Sequence, residues 1–124
     1  MNEKHPKVPG FLDDYAGTTR ILCLYCSRLH RHGRSPGNRV PHCGDGKDLP
    51  EYDIVLVDIS LPIEAVRIDR EARRLHKVLQ NRRHSIRITG SSKPDTAYEQ
   101  EISDLAEAAG EFNERILGEV SHEE

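Results

Sequence analysis

Tryptophan is absent from this chain of 124 residues, and its aromatic residues are limited to four tyrosines and two phenylalanines. Long apolar runs are absent as well, since none approaches the roughly 20 residues that a membrane-spanning helix needs. Hydrophobic residues make up only 35% of the chain, against 31% charged residues. These shortages exclude a helical membrane protein and predict one small domain with a lean core. A structural metal ion commonly supplements such a core.

An apolar stretch is also missing from the N-terminal sequence Met1-Asn-Glu-Lys-His-Pro-Lys, so no secretory signal is expected there. We therefore expect a cytoplasmic protein, in which thiols stay reduced. Cysteine is scarce, with three residues in the whole chain, all between positions 23 and 43. An odd number of cysteines in a reducing compartment favours metal binding over disulfide pairing.

The three cysteines share their short window with histidines. The possible metal donors in it are Cys23, Cys26, His30, His32, His42 and Cys43. Structural zinc sites take four thiolate or imidazole ligands in a tetrahedron, and a Cys-x-x-Cys pair offers two of them from one tight turn. The pattern therefore predicts a bound Zn²⁺ that holds this segment together.

The fourth zinc ligand stays open in the sequence. His32 is favoured, because Gly33 directly after it marks a turn that can return the ring to the metal. His42 is the second choice and His30 the third; His30 and His32 share a face of an extended chain, so that one can bind while the other does not. The favoured ligand set is Cys23, Cys26, His32 and Cys43.

These motifs carry a resemblance. Cys23-x-Tyr-Cys26, His30-x-His32-Gly33 and Arg39-x-x-His42-Cys43, followed by a tyrosine-led apolar strand, resemble a group of small proteins common in actinomycete genomes and their mobile elements. The resemblance covers about residues 20–60 and implies a zinc-binding unit without an activity. The Cys-x-Tyr-Cys motif also resembles the zinc knuckle of HNH-type endonucleases. This chain lacks their Asp-His pair on the following strand, so nuclease activity is not expected.

Local patterns predict an α+β fold, in which a small zinc-held β unit of the knuckle or ribbon type precedes two α-helices. Strands are predicted at residues 18–23 and 52–59, where β-branched and apolar residues dominate. Residues 1–17 contain two prolines and two glycines and are expected to form a flexible leader. The first helix is expected to begin after Ser60 as its N-cap, and residues 86–89 to leave it as a short strand.

Both helices have apolar residues spaced by three and four, which is the period of one helix face. In the first helix they are Ala65, Ile68, Ala72, Leu75 and Leu79. In the second, which follows a Thr96–Glu99 capping box, they are Ile102, Leu105, Ala109, Phe112 and Ile116. This second seam is narrow, and it can pack on the first helix or on its copy in a second molecule.

Charge is segregated along the chain behind a net value of −3. The predicted parts are a leader (1–17), a zinc-binding β unit with a basic helix (18–94) and an acidic helix (95–124). Residues 64–94 carry nine Arg or Lys against three acids, whereas the acidic helix carries ten acids against Arg115. The basic helix predicts a surface for a polyanion, or else neutralisation by the acidic helix within the fold. Its candidate phosphate contacts are Arg70, Arg73, Arg74, Lys77, Arg82 and Arg83.

Three functions compete on this basis. The first is a zinc module that binds nucleic acid or acts in regulation, supported by a metal site within basic segments. The alternative is a protein–protein adaptor that forms a homodimer or docks a partner through residues 96–120. The third is a metal-dependent hydrolase that uses His30 or His42. No carboxylate–histidine pattern in the sequence marks a catalytic centre, so an enzyme is not expected.

Overall fold

The computed structural model describes residues 5–15, 17–39, 50–89 and 96–121, with side chains not described at 39, 82–89, 96–97 and 121. Five strands and two helices follow one another along the chain. They are β1 (Lys7–Leu12), β2 (Thr18–Leu22), β3 (Leu29–Gly33), β4 (Gly37–Arg39), β5 (Tyr52–Ser60), α1 (Ile63–Thr89) and α2 (Thr96–Ser121). The α+β class, with a β unit that precedes two helices, is confirmed.

The strands form one sheet in the order β3-β2-β1-β5-β4. β1 lies in the middle, antiparallel to β2 and parallel to β5. This position differs from the expected flexible leader, because Val8 and Phe11 are fully buried. Gly10, one of the two glycines in that stretch, allows close packing: a Cβ atom at this residue would lie 2.7 Å from both Ile54 Cγ2 and Thr19 Oγ1.

The sheet is curled. β3 and β5 are separated by two strands, which would place them about 14 Å apart in a flat sheet. Nevertheless Nε2 of His32 on β3 and the hydroxyl of Tyr52 on β5 are 2.8 Å apart, in a buried hydrogen bond. The face toward which the sheet curls carries a core cluster that includes the first cysteine of the chain. Its members are Val8, Ile21, Cys23, Tyr52 and Ile54.

Both helices pack on the opposite face of the sheet. The predicted apolar face of α1 is confirmed, because all five of its residues are buried. The helix begins at Ile63, where the Pro62 carbonyl accepts from the Ala65 N–H at 3.1 Å, and β5 continues through Ser60, the expected N-cap. α1 also continues to Thr89, so residues 86–89 are helical rather than a short strand.

The seam of α2 lies inside this core. Ala109, Phe112 and Ile116 are buried in one cluster with the sheet residues Phe11 and Leu22. The amide of Asn113 adds a buried hydrogen bond, donated from Nδ2 to the Leu22 carbonyl at 3.0 Å. The seam thus packs within the same chain, against both α1 and the sheet. None of the helices in the described parts of the chain is long and apolar enough to cross a membrane.

Candidate metal centre

A six-residue loop, Cys23–Arg28, joins β2 to β3 and forms a tight turn, called here the knuckle. Its base is closed by the Cys23 N–H, which donates to the Arg28 carbonyl at 2.9 Å. Inside it, the Ser27 N–H donates to the Cys23 carbonyl at 2.9 Å. Ser27 has a left-handed backbone with φ of 60°, a conformation that is uncommon for residues other than glycine. This sharp bend returns the chain so that the two cysteines face each other.

Three donor atoms converge at the knuckle. The ligand atoms of Cys23, Cys26 and His30 all lie within 4.8 Å of one another, and Cys26 Sγ is 3.1 Å from His30 Nε2. Tetrahedral zinc with Zn–S near 2.3 Å and Zn–N near 2.0 Å separates its ligand atoms by about 3.5–3.8 Å. The Cys26–His30 pair is closer than this, at hydrogen-bond distance, and all three donor atoms are near enough to one another to hold a metal ion.

Backbone amides of the loop point at both sulfurs. The Tyr25 N–H donates to Cys23 Sγ at 3.4 Å, and the Arg28 N–H acts in the same way on Cys26. Such donors stabilise a thiolate, the form of cysteine that binds metals. The knuckle thus supplies its sulfurs with the surroundings that a metal ligand needs.

The two thiols titrate as a pair. A hydrogen bond with Cys23 is the main cause that lowers the pKa of Cys26, and the nearby His30 ring adds to it. The same hydrogen bond, together with burial, raises the pKa of Cys23. One sulfur of the pair therefore carries negative charge more readily than an ordinary thiol does. A metal ion binds the thiolate and therefore has to displace the thiol proton. Because one sulfur of the pair loses its proton readily, less free energy is spent on deprotonation when a metal binds.

His32, the favoured fourth ligand, lies elsewhere. It is buried on β3, where its ring contacts Tyr52 edge-on at 5.8 Å between centroids and hydrogen-bonds the tyrosine hydroxyl. His30, the third choice, is the histidine that meets the thiols. The strand register explains the difference: His30 pairs with Ile21 and His32 with Thr19. His32 is thus two residues, about 7 Å, farther from the knuckle.

The remaining predicted ligands, His42 and Cys43, lie outside the described residues. Their assignment stays a prediction.

Two residues that sequence analysis missed connect the knuckle to α1. Asp69, buried, accepts the Leu29 N–H at 2.8 Å through Oδ1, which also accepts Arg73 Nε at 2.9 Å. His76, half-buried, lines a cavity of about 10 Å³ beside Cys26 and Ser27. Both follow directly on the buried stripe of α1, after Ile68 and Leu75. Their position beside the buried stripe could have marked them as candidates from the sequence. No sequence pattern, however, indicates that they contact the knuckle and the strand that follows it.

The predicted phosphate contacts on α1 are exposed where they are described. Arg73 is paired with Asp69, and Arg74 with Glu71 and with Glu101 of α2, the latter at 3.8 Å. Two others, Arg70 and Lys77, have no ion pair among the described residues. The side chains of Arg82 and Arg83 lie outside the description. Acidic residues of α1 itself, together with Glu101 of α2, thus pair with part of the basic face, and the described part of the chain offers no ion pair to Arg70 and Lys77.

The donor chemistry defines what the cluster can bind. Two thiolates and an imidazole form a soft to borderline ligand set, which suits zinc better than calcium or magnesium.

Comparison with protein-family models, with curated proteins and with solved structures finds no match to the chain.

Proposed function

We propose that the chain is a zinc-binding module in which Cys23, Cys26 and His30 hold one Zn²⁺, with Cys43 as the fourth ligand. The observation that carries this proposal is the convergence of three donors on a turn whose N–H groups point at both sulfurs. The metal would fix the β2–β3 hairpin, whose first residue after the knuckle is bonded to α1. A relationship to the small actinomycete zinc-binding proteins is part of the same proposal.

Zinc content tests the proposal directly. The purified protein is expected to contain about one zinc ion per chain, and the Cys26→Ser variant to contain none, because a serine hydroxyl stays protonated and binds zinc poorly. Elemental analysis measures both, after dialysis against a weak chelator. Tyr25→Phe is the matched control within the same loop and is expected to keep its zinc. Full zinc content in Cys26→Ser would refute the site.

We further propose that α1 presents a surface for nucleic acid. Four exposed cations, Arg67, Arg70, Arg74 and Lys77, follow one another by three, four and three residues. This spacing places them on one side of the helix, away from its buried face. α1 itself contains no phenylalanine, tyrosine or tryptophan, and a row of cations alone contacts phosphates and has little means of distinguishing bases. Zinc binding would support this surface, since Asp69 joins the knuckle strand to the same helix.

Charge reversal at the open part of this surface tests the second proposal. Arg70→Glu with Lys77→Glu is expected to weaken binding to every duplex alike and to lower the salt slope by about 2, roughly one for each lost phosphate contact. Arg73 is left intact because it bonds Asp69. Fluorescence anisotropy with labelled duplexes at two salt concentrations is the measurement.

The charge-conserving pair Arg70→Lys with Lys77→Arg is the control for the anisotropy experiment and should bind as the wild type does. Equal affinity of the reversed and wild-type proteins would reject α1 as the contact surface. An adaptor that docks through residues 96–120 has less support, because the central part of that seam is already buried in the chain's own core.

A further inference from the structure

The two cysteines of the knuckle differ in access. Cys23 is fully buried beneath the curled sheet, within the cluster of Val8 and Tyr52. Cys26 is half-buried and lines the small cavity between the knuckle, α1 and α2. Their sulfurs nevertheless lie within 4.8 Å of each other, and they are not joined in a disulfide. Because Cys26 is the more exposed residue and the two sulfurs are close, we expect a reagent from solvent to react at Cys26 before Cys23.

We propose that Cys26 is a site of oxidation by hydroperoxides, with Cys23 as the partner that closes a disulfide. The formation of the disulfide does not depend on a bound metal; its consequence for zinc rests on the zinc site proposed above. In that case oxidation releases the ion, and the knuckle responds to peroxide as well as to zinc.

The chemistry balances with hydrogen peroxide as the oxidant. The Cys26 sulfur attacks one peroxide oxygen, the O–O bond breaks, and the second oxygen leaves as hydroxide, which a proton converts to water. The resulting sulfenic acid is attacked by the Cys23 sulfur, which forms the S–S bond and releases a second water. The thiol pair loses two electrons, and the peroxide gains them.

Zinc loses two ligands in this reaction. A disulfide brings the sulfurs to about 2.05 Å, and neither sulfur remains a thiolate. His30 alone would remain of the three described donors, and one imidazole does not retain zinc against a chelator. The size of the cavity, about 10 Å³, corresponds to roughly one water molecule, so the approach to Cys26 favours small oxidants. Glutathione disulfide is much larger than this cavity, so we expect it to react more slowly than hydrogen peroxide.

Peroxide titration of the wild-type protein tests the proposal. We expect one zinc ion released per disulfide formed, followed with a coloured zinc chelator, and a mass loss of two hydrogens per chain. Peptide mapping should place the bond between Cys23 and Cys26. In Cys23→Ser the reaction should stop at a sulfenic acid on Cys26, which a dimedone-type probe labels. Glutathione disulfide at the same concentration should react much more slowly.

Several outcomes would overturn it: a disulfide that includes Cys43, a sulfenic acid on Cys23, or equal rates with the bulky oxidant. The wild-type mapping requires no variant to fold. Its result is also separable from the zinc assignment, because a protein that is purified without zinc but forms the Cys23–Cys26 bond would reject the zinc site and retain the thiol pair.

Discussion

Replacing His30 with alanine is expected to weaken zinc binding by more than about 100-fold, since even outer partners of zinc ligands are worth about 10–100-fold. The reason is geometric. His30 Nε2 lies 3.1 Å from the Cys26 sulfur and within 4.8 Å of the ligand atom of Cys23. Competition with a chelator of known affinity measures the change. The fold should survive in part, because His30 is only half-buried on an edge strand.

His32→Ala separates this assignment from the one that the sequence favoured. We expect it to keep its zinc and to lose about 1–3 kcal/mol of unfolding free energy, because the buried hydroxyl of Tyr52 loses its hydrogen bond to the ring. Tyr52→Phe, which removes the same bond from the other side, is the matched variant. Zinc lost in His32→Ala and retained in His30→Ala would restore His32 as the ligand.

The histidine at the site could not be chosen from the sequence because the choice depends on register. Both rings project from the same face of β3, and the sequence indicates a turn at Gly33, directly after His32. The turn lies instead at the knuckle, and Ser27 rather than a glycine takes the left-handed backbone there. The Cys-x-x-Cys pair itself was predictable, since its sulfurs are brought together by local chain geometry alone.

β1 could not be predicted from local sequence patterns either. Pro9 and Gly10 are residues that commonly end strands, and the stretch around them has no alternation of polar and apolar residues. Its neighbours β2 and β5 pair with its two edges. Its two faces are covered as well, because Phe11 lies in the core cluster with both helices and Val8 lies in the cluster beneath the curled sheet. A strand that is covered on both faces needs no alternation. The parallel pairing of β1 with β5 joins parts of the chain more than 40 residues apart, so it was beyond local patterns.

The helices show where periodicity is sufficient. The face of α1 was predicted correctly because five apolar residues at regular spacing leave little ambiguity. For α2, the same spacing indicated the inward face and left open what this face packs against. The buried residues of this face are Ala109, Phe112 and Ile116, and the partly buried ones are Ile102 and Leu105. The structure supplies a second surface, formed by Phe11 and Leu22 of the sheet, so that a narrow seam fits between the sheet and α1. Core position and partner interface thus have the same sequence pattern, and only the tertiary contacts distinguish them.

Phe112→Asp is accordingly expected to unfold the protein rather than to change its assembly. Phe112 is 1% exposed, and its ring packs against Phe11 at 5.8 Å between centroids. Loss of a buried phenylalanine costs about 3–5 kcal/mol, and the introduced carboxylate adds the penalty of an unpaired buried charge. Since small domains are stable by about 5–15 kcal/mol, most of the stability is removed. Chemical denaturation followed by circular dichroism gives the free energy of unfolding.

Two further variants make the Phe112 result decisive. Ser103→Asp adds the same carboxylate at an exposed position of α2 and should leave stability within about 0.5 kcal/mol of the wild type. Phe112→Leu keeps an apolar side chain and should fold with a smaller loss, which shows that the position needs burial rather than an aromatic ring. Light scattering after size exclusion reports the oligomeric state of each variant. If the Phe112→Asp protein keeps its wild-type stability while a dimer dissociates, this seam lies at a subunit interface. In that case the seam faces water in the separated monomer, where the introduced carboxylate can remain charged without unfolding the chain.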